Sequence, residues 1–323
     1  MRETQGKEKT FVSAVIYVRN AEDSAAGFVR SVVAVLEENF EKSEIVCVDD
    51  CSDDGSVSAI RESAGAARSV CVSILHMSCF HGTEAAMSAG VDLAIGDFVF
   101  EFDSCVLDFA PEEIMRVYRK SLEGFDIVSA SPENTSRVSS RVFYGIFNRS
   151  SGLHYQMTTE RFRILSRRVI NRIAAMNKTV PYRKPVYAAS GLKSANLTYQ
   201  VTARVPEKDD PLARRYRKVL AEDSLIIFTD LGYKASMLLT SLMLLFALAV
   251  GAYSVVYRLL KNPVPGWTST ILFLSASMFF MFMVLTIVLK YLQILVNLVF
   301  KKAQYQFESI EKLAGGEEAL RWL

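Results

Sequence analysis

The sequence predicts an α/β domain with a mainly parallel sheet, followed by a surface helix and two long apolar helices. Three observations predict this organisation. Short apolar or β-branched runs alternate with helix-like segments up to about residue 130. Acidic residues cluster where several of these runs end. Two long uncharged runs lie in the last third of the chain.

The short apolar runs are each the length of a buried strand, and segments with apolar residues at helical spacing separate them. Such alternation is typical of a parallel sheet covered by helices. The predicted strands are Phe11 to Val18, Ile45 to Val48, Val70 to Leu75, Phe98 to Phe102 and Ile127 to Ser129. The predicted helices are Ser24 to Glu38, Ser56 to Ala67, Thr83 to Ala94 and Glu112 to Leu122.

Carboxylates follow the second and fourth predicted strands. Ligands of open α/β sheets bind beyond the carboxyl ends of the strands, so Asp49, Asp50 and Asp103 are expected at one edge. The sequence has neither a glycine-rich dinucleotide loop nor a Walker lysine loop. Acidic loops instead suit a ligand with hydroxyl and amide groups, together with a divalent cation. A net charge of +2 gives no reason to expect a nucleic-acid partner.

Two uncharged runs, Ala235 to Tyr257 and Thr268 to Leu289, predict a transmembrane hairpin. At about 1.5 Å per residue, each is long enough to cross a hydrocarbon core of about 30 Å. Two buried helices of a soluble core are the alternative, which the lack of a polar face on either run disfavours. Basic residues concentrate outside the hairpin rather than in its connecting loop, which predicts that both termini are cytoplasmic.

A basic amphipathic segment precedes the hairpin. Leu212, Tyr216 and Val219 have helical spacing, and four cations lie among them, namely Arg214, Arg215, Arg217 and Lys218. This pattern suits a helix in the headgroup region, with its cations near anionic lipid or a phosphate, although an ordinary solvated helix has the same pattern. The predicted divisions are therefore 1–210, 211–233, 234–300 and 301–323: the cytoplasmic domain, the interfacial helix, the hairpin and a cytoplasmic tail.

Several motifs resemble the family 2 glycosyltransferases of the GT-A fold in order and spacing. These are "AVIYVRNAED", "IVCVDDCSDDGS", "GTEAAMSAGVDLAIGD", "FEFDSCVLD" and "FRILSRRVI". From about Phe11 to Lys312 the chain resembles, more narrowly, the polyisoprenyl-phosphate glycosyltransferases with two C-terminal transmembrane helices. These include dolichyl-phosphate mannose synthases and bacterial undecaprenyl-phosphate sugar transferases.

The resemblance implies roles for residues at the sheet edge. Asn20, Glu22, Asp49 and Asp50 match positions that bind the base and ribose of a nucleotide-sugar. Arg163 matches the arginine of the family's Asp-Phe-Arg-Leu motif, and the basic run from Arg214 to Lys218 is the further candidate for binding phosphates or lipid. Asp53 and Asp54 are interpreted as turn and capping residues.

The metal-binding motif of the family is altered in this chain. Asp103 matches the first Asp of the Asp-x-Asp motif that binds Mg²⁺ or Mn²⁺, and Cys105 replaces the second. A thiol is a poor ligand for Mg²⁺, so Glu101 and Asp108 are the candidates to supply oxygen. Each has an alternative role: Glu101 in pairing with an arginine, and Asp108 in capping the helix that starts near Pro111.

The resemblance implies a membrane-anchored, inverting glycosyltransferase at the cytoplasmic face of the cell membrane. It would transfer a sugar from a nucleotide-sugar, with UDP-sugar favoured, to a polyprenyl phosphate for cell-envelope glycan synthesis. A growing glycan is an alternative acceptor. A non-catalytic scaffold with a degenerate metal site, in a polysaccharide assembly complex, is an alternative function. Related two-span proteins are tetramers, so a homo-oligomer is also expected.

Overall fold

The computed structural model divides the chain into two compact units. The first comprises Met1–Asn148, Leu153–Leu220 and Ala303–Leu323, and the second comprises Arg149–Gly152 and Ala221–Lys302. The structure describes residues 6–65, 67–133, 138–150, 158–175, 182–202, 210–229, 231–260, 266–300 and 305–314.

The first unit is built on a mixed sheet of eight strands in the order β7-β5-β6-β4-β1-β2-β3-β8. The pairs β1–β2, β1–β4, β2–β3 and β5–β7 are parallel, whereas β4–β6, β5–β6 and β3–β8 are antiparallel. The predicted α/β class with a mainly parallel sheet is confirmed. The strands are β1 Val12–Val18, β2 Ser43–Asp49, β3 Val70–Met77, β4 Phe98–Phe102, β5 Ile127–Pro132, β6 Phe162–Ser166, β7 Ser194–Tyr199 and β8 Phe307–Ala314.

The central strands are buried and mostly apolar, as expected where helices cover both faces of a sheet. Every residue of β1 and β2 is buried. Gly90 lets one covering helix lie close to both strands, since a Cβ there would be 2.4 Å from Val15 Cγ1 and 2.6 Å from Val48 Cγ2. The helices of this unit are α1 Glu22–Asn39, α2 Ser56–Ala64, α3 Thr83–Leu93, α4 Glu112–Leu122, α5 Val138–Ser150, α6 Arg167–Ala175, α7 Arg183–Ala189 and the first part of α8 Pro211–Phe228.

Strands β6, β7 and β8 were not predicted as strands. The motif "FRILSRRVI" forms β6 and the start of α6, and β6 runs antiparallel to β4 with Arg163 paired to Glu101 in register. This pairing places a cation directly opposite the acidic end of β4. Strand β6 therefore contributes a positive charge beside the carboxylates at the end of β4.

Strand β8 lies in the segment that was predicted to be a tail. It pairs antiparallel with β3, and the Glu311 side chain links it to Arg61 of α2 and to His76 of β3. The Arg61 guanidinium donates to both carboxylate oxygens of Glu311 at 2.9 and 2.8 Å. His76 Nε2 lies 3.2 Å from Glu311 Oε2, and His76 Nδ1 lies 3.5 Å from Asp49 Oδ2. Strand β8 is thus connected through Glu311 and His76 to the carboxyl edge of the sheet.

The pairing of β8 with β3 is expected to weaken in acid. The hydrogen bond from Arg61 is the main cause that lowers the pKa of Glu311 from 4.5 to about 2. Because the pKa of Glu311 is lower in the folded state than in the unfolded state, its ionised carboxylate stabilises the fold at pH values above 4.5. That stabilisation is lost as the pH falls from 4.5 toward 2. Hydrogen-exchange protection of the β8 amides should fall across this interval in the parent but not in Glu311→Gln. Glu308→Gln, in the same strand, is the matched control and should behave like the parent.

The second unit contains the end of α8, followed by α9 Leu231–Leu260 and α10 Trp267–Phe300. Phe246 and Phe273 stack with ring centroids 6.0 Å apart, and Lys290 Nζ lies 2.9 Å from Asp223 Oδ1. Two long helices thus form where the hairpin was predicted. Within the described ranges, however, no helix combines the length and apolar character that a membrane span requires. The membrane-spanning role stays a prediction, and Lys301, Lys302 and most of the connecting turn lie outside the described residues.

Candidate active site

The carboxyl ends of the central parallel strands meet at one edge of the sheet. Val18 at the end of β1 pairs with Asp49 of β2, and Asp49 pairs with His76 of β3. Phe102 at the end of β4 pairs with Ile16 of β1. The side chains that follow these strands therefore share one edge, as the sequence predicted for Asp49, Asp50 and Asp103.

Asp50 is fully buried and fixes the loop after β3. Its Oδ1 accepts the backbone N–H of His81 at 2.8 Å, and its Oδ2 accepts the N–H of Gly82 and the Tyr17 hydroxyl, both at 2.9 Å. Burial raises the pKa of Asp50, and the donated hydrogen bonds oppose this shift. Asp50 thus has a positioning role that the sequence did not reveal.

The other predicted nucleotide-binding residues connect the loops after β1 and β2. Asn20 Oδ1 accepts the N–H of Asp53 at 2.9 Å, and Glu22 Oε2 accepts the N–H of Gly55 at 2.7 Å. Asn20 and Cys51 have φ angles of 47° and 60°. Non-glycine residues in this left-handed region are uncommon and concentrate at functional sites.

Asp49 and Asp54 also have loop-forming contacts. Asp49 Oδ1 accepts the N–H of Ser52 at 3.1 Å, so this carboxylate helps to shape the loop that follows β2. Asp54 Oδ1 accepts the N–H of Ser56 at 3.0 Å at the start of α2, in agreement with the turn-forming role predicted for it.

Glu101 and Asp103 at the end of β4 are bridged by two arginines. Arg163 donates from Nη1 to Glu101 Oε2 at 2.6 Å and from Nη2 to Asp103 Oδ2 at 2.7 Å. Arg183 makes the equivalent pair, to Glu101 Oε1 at 2.6 Å and to Asp103 Oδ1 at 2.7 Å. The Tyr187 hydroxyl also donates to Glu101 Oε1 at 2.7 Å. All four carboxylate oxygens therefore accept from a guanidinium.

The opposite charges of Asp103 and Glu101, on one side, and Arg163 and Arg183, on the other, stabilise one another in this bridge. Burial would raise the pKa of Asp103, but the charges of Arg163 and Arg183 outweigh it and hold that pKa well below its usual range. Burial would lower the pKa of Arg163, but Asp103 and Glu101 outweigh it and hold that pKa well above its usual range. Asp103 and Arg163 are consequently both charged near neutral pH.

The predicted metal ligands do not fit a divalent cation. Asp108 is paired with Arg161, whose Nε and Nη2 lie 2.9 and 2.8 Å from Asp108 Oδ2, and its Oδ1 accepts from Tyr199 at 2.9 Å. The buried Cys105 thiol donates to Tyr17 O at 3.4 Å, and burial raises its pKa to about 12, so it is neutral. Among the described residues, no three acidic, histidine or cysteine side chains form a metal-binding group.

The alternative roles considered for Glu101 and Asp108 have different outcomes in the structure. Glu101 does pair with arginine, as its alternative role required. Asp108 does not take a capping role: its two oxygens accept from Arg161 and Tyr199, and Pro111 is the residue at the N-cap of α4. Its pairing with Arg161 also explains why a cation occupies a position where the resemblance expected an acid.

The basic segment of α8 is attached to the loop after β3 within the first unit. The Tyr216 ring packs against Gly82 and contacts Phe80 edge to face, with centroids 5.9 Å apart. Arg19 Nε lies 2.7 Å from Asp210 Oδ2 next to the start of α8, and its guanidinium lies 4.7 Å from the centroid of Phe80. The predicted phosphate-binding or lipid-binding cations are all exposed on this segment: Arg214, Arg215, Arg217 and Lys218.

Comparison with known proteins finds similar sequences. The sequence pattern of the family described as "Glycosyl transferase family 2" matches residues 13–177, about half of the chain. An uncharacterized glycosyltransferase of Synechocystis sp. is 28% identical over 276 residues, which are 82% of this chain and 85% of that protein. An undecaprenyl-phosphate 4-deoxy-4-formamido-L-arabinose transferase of Aeromonas hydrophila is 31% identical over 148 residues, which are 44% of this chain and 45% of that protein.

Solved structures with a similar backbone are more distant. Glucosyl-3-phosphoglycerate synthase from Mycobacterium tuberculosis, crystallised with Mn²⁺, UDP and glucosyl-3-phosphoglycerate, has a TM-score of 0.47 and 16% identity. The match covers 67% of this chain and 78% of that one. Mannosyl-3-phosphoglycerate synthase from Rubrobacter xylanophilus has a TM-score of 0.44 and 18% identity, and the match covers 67% of this chain and 74% of that one.

Proposed function

Because the chain belongs to glycosyl transferase family 2, we propose that it is a membrane-anchored, inverting glycosyltransferase that uses a nucleotide-sugar donor and a polyprenyl phosphate acceptor. The favoured donor is a UDP-sugar. Transfer would take place at the cytoplasmic face of the cell membrane and would serve cell-envelope glycan synthesis. One observation supports a phosphate-bearing acceptor: the basic α8 segment packs against the loop after β3 that Asp50 fixes.

The donor nucleotide is assigned to the loops after β1 and β2. Asn20, Glu22, Asp49 and Asp50 lie in these loops or at their ends, and carboxylates there can accept hydrogen bonds from ribose hydroxyls or a base N–H. Asp50 acts by shaping the loop after β3, since its oxygens already accept three protein hydrogen bonds. Asp49 is the stronger candidate for direct contact, since among the described residues its carboxylate contacts Ser52 N and His76 Nδ1 and accepts fewer protein hydrogen bonds than that of Asp50.

The transfer step follows from the acceptor's chemistry. A phosphate oxygen of the lipid attacks the anomeric carbon, the new carbon–oxygen bond forms as the bond to the nucleoside diphosphate breaks, and the leaving diphosphate takes the electron pair. The attacking oxygen is already ionised near neutral pH, so no protein base has to remove a proton. Catalysis then depends on positioning and on cations near the phosphates. Asp103 acts as a positioning residue by holding Arg163.

The apolar helices support membrane attachment. Leu238, Leu245 and Phe279 are 63%, 67% and 61% exposed on α9 and α10. Large apolar surfaces of this kind are typical of contact with lipid or with another protein. The exposed cations of α8 precede these two helices in the chain, and such cations favour a surface with anionic headgroups. An acceptor carried in the bilayer would then be close to the basic segment.

Nucleotide binding is the first test of this proposal. In calorimetry with UDP, the full chain in detergent should bind, and Asp49→Ala should bind about 10-fold to 100-fold more weakly, since hydrogen bonds to a charged group contribute about 1.5–3 kcal/mol. Asp97→Ala is the matched control because Asp97 lies at the opposite end of β4, where its Oδ2 accepts Phe11 N at 3.3 Å. Absence of UDP binding by the parent, or equal losses in both variants, would contradict the assignment.

A second candidate function is a non-catalytic scaffold in a polysaccharide assembly complex. The observation that favours it is the pairing of Asp103, Glu101 and Asp108 with arginines, which leaves the family's metal-binding motif without free oxygens. A scaffold would bind no nucleotide-sugar under any metal condition. The calorimetric experiment therefore separates the two functions.

A further inference from the structure

The two arginines at the end of β4 form a closed bridge. Each guanidinium uses one terminal nitrogen for Glu101 and the other for Asp103, with all four distances at 2.6 or 2.7 Å. Arg163 comes from β6 and Arg183 from α7, so the bridge also joins elements that are far apart in sequence. Both arginines are nearly inaccessible, at 1% and 2% exposure.

Two outer carboxylates fix the orientation of the bridge. Glu160 Oε2 accepts from Arg163 Nε at 3.0 Å, and Glu84 Oε2 accepts from Arg183 Nε at 3.0 Å. Glu84 Oε2 also accepts the backbone N–H of Arg183 at 2.8 Å. A guanidinium held at all three nitrogens cannot rotate away without breaking buried charged hydrogen bonds. The positions of the two positive charges are therefore set by the fold.

A divalent cation at Asp103 would be placed directly beside these two positive charges. Both oxygens of Asp103 already accept from guanidinium groups, and Cys105, which replaces the usual second carboxylate, is buried with its Sγ directed to Tyr17 O at 3.4 Å. Hard divalent cations need several oxygen ligands, preferably anionic ones. The site thus lacks free anionic oxygen ligands for Mg²⁺ or Mn²⁺, because the guanidinium groups already occupy the oxygens of Asp103.

We propose that Arg163 and Arg183 occupy the place of the divalent cation, so that donor binding at this site is independent of metal. This inference rests on the proposed function for its donor. Asp103 is then a positioning residue for the two arginines rather than a metal ligand. The Asp103 side chain, at 21% exposure, is the most accessible of the four bridged groups, so solvent reaches the bridge at Asp103.

Mn²⁺ alone tests the metal site without any nucleotide. Electron paramagnetic resonance should show the same Mn²⁺ binding for the full chain and for Asp103→Asn, because Asp103 contributes no metal site in the parent. Asparagine retains one acceptor oxygen and nearly the same shape, and circular dichroism checks that the variant folds. One Mn²⁺ per chain in the parent that is lost in Asp103→Asn would overturn the inference.

UDP binding by the parent provides a second measurement that needs no variant. The dissociation constants with EDTA and with Mn²⁺ should agree within about twofold, whereas binding about tenfold or more tighter with Mn²⁺ would overturn the inference. If UDP binds in neither condition, the proposed function fails. The Mn²⁺ titration still decides the inference in that case, so the two failures are distinguishable.

Discussion

Replacement of Arg183 by methionine is expected to lower the free energy of unfolding by about 3–5 kcal/mol, because removal of one partner leaves buried charges uncompensated. Arg183 lies within 3.0 Å of Glu84 and within 2.7 Å of both Glu101 and Asp103. Methionine has a similar length but no donor. Glu84 would lose its guanidinium partner, and Glu101 and Asp103 would each keep Arg163 as their only guanidinium partner, so part of the buried negative charge would be left uncompensated. Urea unfolding followed by circular dichroism measures the change.

Arg168→Met is the matched control for this prediction. Arg168 is 69% exposed, and its Nη1 lies 3.6 Å from Asp126 Oδ2. Exposed pairs of this kind contribute about 0–1 kcal/mol, so this variant should unfold close to the parent. If Arg183→Met unfolded at the same urea concentration as Arg168→Met, the bridge would not stabilise the fold. Variants of Arg163 and Arg183 should be strongly non-additive, since both arginines share the same two carboxylates.

Gly82→Ala is expected to detach the basic segment of α8 and to destabilise the first unit by about 1–3 kcal/mol. A Cβ at this position would lie 2.3–2.6 Å from three carbons of the Tyr216 ring. Gly82 also has a φ of +84°, which is unfavourable for alanine. Faster hydrogen exchange in Pro211–Leu220 is the expected signature. The loop whose N–H groups bind Asp50 should be affected as well.

A double variant separates the clash from the backbone strain. Tyr216→Ala should recover part of the stability lost in Gly82→Ala, because it removes the clash but leaves the unfavourable φ. Gly65→Ala is the control, since its Cβ would meet only Glu62 O at 3.6 Å. Equal hydrogen exchange in Gly82→Ala and Gly65→Ala would show that Tyr216 does not hold the segment in place.

The sequence predicted the parallel half of the sheet well because continuous burial gives a strong signal. β1 and β2 are apolar on both faces, and their predicted bounds differ from the observed ones by one or two residues. β8 was missed because its polar and apolar residues alternate irregularly at an edge, where the pairing with β3 has two register shifts. β6 was recognised as a motif but not as a strand, so its antiparallel pairing with β4 was not predicted.

The candidate site was only partly predictable for a similar reason. The edge rule placed Asp49, Asp50 and Asp103 together, but it could not indicate that Arg183, 80 residues after Asp103, would pair with it. The available signal was Glu101 itself, since a carboxylate inside a buried strand requires a cationic partner. That signal predicts the kind of partner but not which residue provides it.

The proposed activity is sugar transfer from a nucleotide donor to a polyprenyl phosphate. The most direct measurement incubates the full chain in detergent with undecaprenyl phosphate and radiolabelled UDP-sugars in turn, and then counts label in the organic-solvent fraction. We expect label from one UDP-sugar to enter this fraction only when the lipid phosphate is present, with or without EDTA. Label that enters the lipid fraction from none of the donors would contradict it, and label in polymer instead would identify a glycan acceptor.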